Sequence, residues 1–293
     1  MVQVDVFWSF ALGAGFAAAA ARQIQSRDQT EGYKLLEDRY FTKNLIYLSC
    51  LFAPSGLYLV WRFTGWGTMY FFTGQTLTGN YDYERALPAW LVVLFGITNV
   101  TQGILGYWWA SVYVRRNELF KAHFLWMAGY FLMFFILVHG WDGTGYRRFF
   151  TRNVAEWNAE RAGQQVFGLW LALRWLVCPV ALTLYAMGVV LLPLLFSWIA
   201  DWNKRGYELA DVDRARAMET SRGDLVKSVL RLTFLHTLGA AIFASLCIRA
   251  MGWIFGCALS WILGLGLALA LIYFVLLRPG GPVRNEVSKI TLE

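Results

Sequence analysis

His139, Gly140, Trp141, Asp142, Gly143, Thr144, Gly145, Tyr146, Arg147 and Arg148 follow one another without interruption. This run joins a titratable ring, a carboxylate, a hydroxyl, three glycines and two guanidinia. Glycines let backbone N–H groups converge on an anion. Paired arginines grip phosphate or carboxylate bidentately, and Asp142 beside His139 makes an acid–base or ligand pair. The same residues also read as a helix stop and a tight turn. Gly140 then ends the helix, Asp142-Gly143 turns the chain, Trp141 and Tyr146 anchor it in the interface, and the arginines meet lipid phosphates.

Three further groups carry chemical potential. Arg174 stands between Leu173 and Trp175 inside an apolar stretch. Embedded about 12 Å deep, it needs a partner such as Asp142 or a nearby amide; at the interface it snorkels to headgroups. Asn99, Gln102, Gly103 and Gly106 share one helical face, where the amides either hydrogen-bond a neighbouring helix or line a solute path. His123 and His236 belong to different apolar stretches and are the pair that could ligate a b-type haem axially. Without a metal, such histidines hydrogen-bond across a bundle.

Other chemistries lack their residues. The sequence has no Gly-x-Ser-x-Gly, no His-Glu-x-x-His and no Gly-x-x-x-x-Gly-Lys, and its three histidines are too few for a histidine-rich di-iron centre. None of the 19 Asp and Glu residues lies in the core of an apolar stretch, which disfavours ion-coupled pumping. Cys50, Cys178, Cys247 and Cys257 all fall in or at the ends of such stretches, so no extramembrane disulfide framework is expected.

The elements that must position these groups are membrane helices. Hydrophobic residues make up 58% of the chain and charged ones only 15%, too apolar for a soluble domain of 293 residues. Seven stretches read as spans, at about 6–21, 45–64, 88–113, 119–139, 166–200, 228–248 and 252–277. The first could be peripheral, leaving six. Of the 26 Lys and Arg residues, 18 lie in or beside the first, third and fifth connections or in the C-terminal tail. Positive charge resists translocation, so the expected topology has the N-terminus outside and the C-terminus cytoplasmic. The compartment is a bacterial inner membrane or an organellar inner membrane. Short third and sixth connections make spans 3 and 4, and spans 6 and 7, antiparallel neighbours. The charged segment 201–227 reads as a solvated or surface-lying helix.

The expected fold is therefore an all-α polytopic bundle forming a single membrane domain over residues 1–293. The leading expected function is a non-catalytic subunit or scaffold that packs laterally through helix faces and aromatic outer loops. A carrier or channel for an anionic or amphipathic solute, routed past Arg174, Asn99, Gln102 and Arg147, is the second reading. A membrane enzyme or haem protein is the third. Expected partners are membrane lipids and either other proteins or a second copy. The basic residues flank spans and meet anionic lipid, so nucleic acid is not among the partners.

Overall fold

The computed structural model describes residues 5–59, 68–69, 87–139, 190–207 and 221–291. Helices dominate: α1 Asp5–Ala19, α2 Ala21–Thr30, α3 Arg39–Leu59, α4 Ala89–Arg115, α5 Leu119–His139 and α6 Leu192–Tyr207. α7 Arg222–Leu230 runs through a π-helical segment, Arg231–Leu238, into α8 Gly239–Phe255. α9 Cys257–Ile272 continues into a second π-helical turn, Tyr273–Leu277, and α10 Pro282–Ile290 closes the chain. Among the described residues the only strand pairing is antiparallel, Thr68 opposite Pro88 and Met69 opposite Leu87, joining the two ends of one long connection. Within the described residues three helical stretches are long and apolar enough to cross a bilayer by themselves, Leu119–Ile136, Arg222–Phe255 and Leu259–Leu277. The fifth expected span lies mostly outside the described residues.

α1 is the centre of the bundle, not a peripheral element. It is apolar all round, and residues 11–20 are all buried, as a helix without a polar face must be. Its small residues allow backbones to meet. A Cβ on Gly13 would overlap the Gly103 carbonyl in α4, and one on Gly106 would overlap the Phe10 carbonyl. α5 packs along α1 through Gly129, where a Cβ would come within 2.8 Å of Ala11 Cβ. α6 reaches α1 through Phe196, whose ring meets Phe16 edge to face at 6.0 Å. The Gly-rich face foreseen on α4 is thus a helix-packing face.

The two short connections do join neighbouring helices, α4 with α5 and α8 with α9. The second turn sits at Gly256 with φ +75°, not at residues 249–251 as the apolar pattern suggests. Only glycine enters that backbone region freely. The charged segment 201–227 is not one surface helix: its first residues prolong α6 and its last open α7, while 208–220 lie outside the described residues. Ser221 caps α7, its hydroxyl oxygen accepting the Asp224 N–H at 3.2 Å.

One end of the bundle gathers the α1–α2 junction, the starts of α3, α5 and α7, the ends of α4 and α6, and α10. Residues from α1, α2, α5, α6 and α10 line a cavity of about 20 Å³ there. The Gln25 amide reaches the Val114 carbonyl at the end of α4. Because Ala20 interrupts the helix without offering a side-chain cap, the Gln23 N–H takes its acceptor from α6, Asn203 Oδ1 at 3.1 Å.

Candidate functional site

Of the residues singled out in the sequence, Asp142, Thr144, Arg147, Arg148 and Arg174 lie outside the described residues. His139 is described, and it is buried where α5, α8 and α9 meet. Its Nδ1 lies 3.0 Å from Ser245 Oγ. The ring stacks on Phe135 with centroids 5.2 Å apart and takes the edge of Trp261 at 4.6 Å. His139 therefore pins the end of α5 to the α8–α9 hairpin through a hydrogen bond and aromatic faces.

The α4 amides split. Asn99 is buried and its Oδ1 accepts the Ser9 hydroxyl at 2.8 Å, binding α4 to the central helix. Gln102 is half-buried on the same helix. His123 is buried in α5, its Nδ1 accepting the Trp126 indole N–H at 3.1 Å. His236 lines a crevice, and His123 is not among that crevice's lining residues.

That crevice is lined almost wholly by apolar side chains. It holds about 100 Å³, of the order of an apolar cavity of roughly 150 Å³ that accepts benzene. Its walls are Phe124, Met127 and Phe131 of α5, then Ala240 of α8, Leu269 of α9 and Val283 of α10, among others. Both π-helical segments contribute, through His236 and Thr237 on one side and Leu276 and Leu277 on the other. In the first, the Gly239 N–H reaches back to Phe234 O; in the second, the Arg278 N–H reaches Tyr273 O at 2.9 Å. Each wider turn displaces side chains from the regular helical rows, and such turns recur at functional sites. Thr237 already donates its hydroxyl to Leu232 O at 2.6 Å, so His236 supplies the crevice's polar character.

A second site was not foreseen. Asp38 belongs to a connection by sequence, yet it has no exposed surface. Its Oδ1 accepts Gln23 Nε2 at 3.0 Å and the Tyr40 N–H at 2.8 Å. Its Oδ2 accepts the Tyr33 hydroxyl at 2.9 Å and the Tyr107 hydroxyl at 2.6 Å. Four donors from the loop and from α2, α3 and α4 satisfy the carboxylate. Burial first, then the adjacent Asp38 charge, pushes the Tyr33 phenol well above its ordinary value, which keeps it a donor. Asp38 is folded in from a loop rather than carried on a span, so it is buried without lying in the core of an apolar stretch.

Lys204 was also foreseen as a flanking charge at the lipid surface. It is instead 6% exposed, donating to the Lys289 carbonyl at 2.7 Å beside the small cavity shared with Arg22.

Residues 118–293 match a family described as an uncharacterized membrane protein family. The match opens one residue before α5 and contains every residue lining the crevice, while the Asp38 cluster lies outside it. A protein of Archaeoglobus fulgidus, described as an uncharacterized protein, is 29% identical over 251 residues, covering 84% of this chain and 96% of its own length. No solved structure matches the chain.

Proposed function

The chain belongs to this family of membrane proteins, and on that premise we propose that it is a non-catalytic integral membrane subunit that associates laterally with another helix bundle. The observation that carries this reading is an open small-residue ridge on α9. Gly266 and Ala270 are exposed four residues apart, and nothing lies within 4 Å of where a Gly266 Cβ would sit. Bulky neighbours flank them, Ile262 at 72% exposed and Phe274 at 65%. Lipid is satisfied by any apolar side chain, whereas small residues at this spacing let a second helix backbone approach closely. The polar groups support the same reading, since Asn99, His139 and Asp38 are spent on holding helices together.

The membrane arrangement in this proposal has seven spans, the N-terminus outside and the C-terminus cytoplasmic. Its support is the excess of Lys and Arg in alternate connections, joined by the gathering of α10 and the starts of α3, α5 and α7 at one end.

The test is the size of the full chain extracted from its own membrane in mild detergent, by native mass spectrometry and cross-linking. A defined oligomer or hetero-assembly is expected, lost when Gly266→Leu and Ala270→Leu are combined. A monomer in both forms would overturn the proposal.

A further inference from the structure

We propose that the crevice between α5, the first π-helical segment and α9 binds one acyl chain of an anionic phospholipid, with the lipid's phosphate held at the basic mouth around Arg284. This goes beyond lateral association and does not depend on it.

Access comes first. Phe124 and Leu269 line the crevice and are themselves 39% and 47% exposed, so it opens on the bundle's surface between α5 and α9. A surface crevice on helices apolar enough to cross a bilayer is bathed in lipid chains rather than water. Its size admits a short segment of a flexible chain, whose remainder lies along the bundle's surface, and excludes a helix, whose diameter with side chains is about 10 Å. The two π-helical turns are the local departures from regular helix that make the space, one on each wall.

The mouth supplies the charge. Val283 closes one end of the crevice and Arg284 follows it on α10. Arg284 Nε donates to the carbonyl of Leu277, a wall residue, at 3.2 Å. Its guanidinium lies 4.0 Å over the Phe120 ring, which stacks on the wall residue Phe124. One of the five guanidinium N–H donors is thus used for anchoring, and the planar group retains donors suited to a phosphate. On the same helix Glu286 is shared by Arg231 at 3.1 Å and Lys289 at 3.0 Å. Three cations against one carboxylate leave this mouth net positive, complementary to an anionic headgroup and indifferent to a zwitterionic one.

The experiment is native mass spectrometry of the purified full chain, delipidated and then offered phosphatidylglycerol or phosphatidylcholine of identical acyl chains. One phosphatidylglycerol retained in preference to phosphatidylcholine is expected. Ala240→Phe should lower that retention by about tenfold or more, the effect of overfilling an apolar site. Arg284→Gln should abolish the headgroup preference while leaving chain binding. Equal retention of the two lipids by the unmodified protein, or unchanged retention in Ala240→Phe, overturns the proposal. So does a dimer peak that replaces lipid retention and disappears in Ala240→Phe, because the crevice would then hold a second copy. Should Ala240→Phe fail to fold, the unmodified chain is cross-linked to phosphatidylglycerol bearing a photoactivatable group on its acyl chain. Adducts at Phe131, Ala240 or Leu269 support the site, and adducts confined to other helices overturn it.

Discussion

The Tyr107 hydroxyl, carried on α4, donates a 2.6 Å hydrogen bond to Asp38 Oδ2 at the start of α3. Sixty-nine residues of sequence separate the two. Both are fully buried, and the Phe41 ring takes the edge of Tyr107 at 5.3 Å. A carboxylate taken from water must recover its hydration from the protein. Asp38 does so through hydroxyl, amide and backbone donors, so the α2–α3 loop and α4 are held as one unit.

Tyr107→Phe removes one donor and leaves the ring packing intact. The expected cost is about 1.5 to 3 kcal/mol, the range for a hydrogen bond to a charged group. Tyr33→Phe should cost less, since that residue is only half-buried. The check is chemical denaturation of the detergent-solubilised chain. A Tyr107→Phe protein with an unshifted midpoint would show that the 2.6 Å pair contributes nothing to folding.

The backbone contact between α1 and α4 makes a contrasting pair of variants. Gly13→Ala drives a methyl group into the Gly103 carbonyl, which cannot withdraw without moving its helix. Loss of folded protein is expected. Gly96→Ala, on the same α4, meets open space and should be neutral or stabilise by about 0.5 to 1 kcal/mol through helix propensity. Thermal melts of the two proteins decide it, and similar behaviour of both would dismiss the close approach.

What the sequence disclosed and what it hid divide along one physical line. A bilayer demands long apolar runs, so the helices at Leu119 and Leu259 stand out in composition alone. The small residues of α4 are legible because a helical face is a local pattern. Asp38 is not, since its donors Gln23, Tyr33 and Tyr107 converge only after the chain has folded. In the sequence His139 stands out for the residues that follow it, yet its described partners, Ser245 and Trp261, lie more than a hundred residues on. The crevice was hidden for a further reason. A π-helical turn at Arg231–Leu238 changes the period for two turns only, too briefly to stand out in the pattern of apolar residues.

α10 is held to the bundle by Glu286, and acid should release it. Burial alone would raise this carboxyl's pKa, but hydrogen bonds from Ser228, Lys289 and Arg231 outweigh it and hold the value below the ordinary range. A depressed carboxylate contributes stability that is present above the unfolded value, about 4.3, and is lost as pH falls through the lower folded value. Amide exchange in α10 should therefore accelerate only on acidification below that range. Glu286→Gln should show the fast exchange already at neutral pH. Slow exchange in that variant would mean that Val283, Val287 and Ile290 hold α10 by burial alone.

Lys204 has the opposite sign. Burial, then the nearby Arg22 charge, brings its ammonium down to about 8, while Asp201 pulls the other way. A lysine whose folded value lies below its unfolded one, about 10.4, penalises folding when protonated in both states. That penalty is complete below pH 8. Between about 8 and 10.4 the folded chain releases its proton while the unfolded chain keeps it, so the Lys204 contribution to stability rises with pH. The measurable quantity is a difference, because other groups titrate in the same window. Across that interval the unmodified protein should gain stability relative to Lys204→Met, in denaturation midpoints taken at matched ionic strength. Parallel pH profiles would mean that the donation to the Lys289 carbonyl, 2.7 Å away, keeps the ammonium as well solvated as water does.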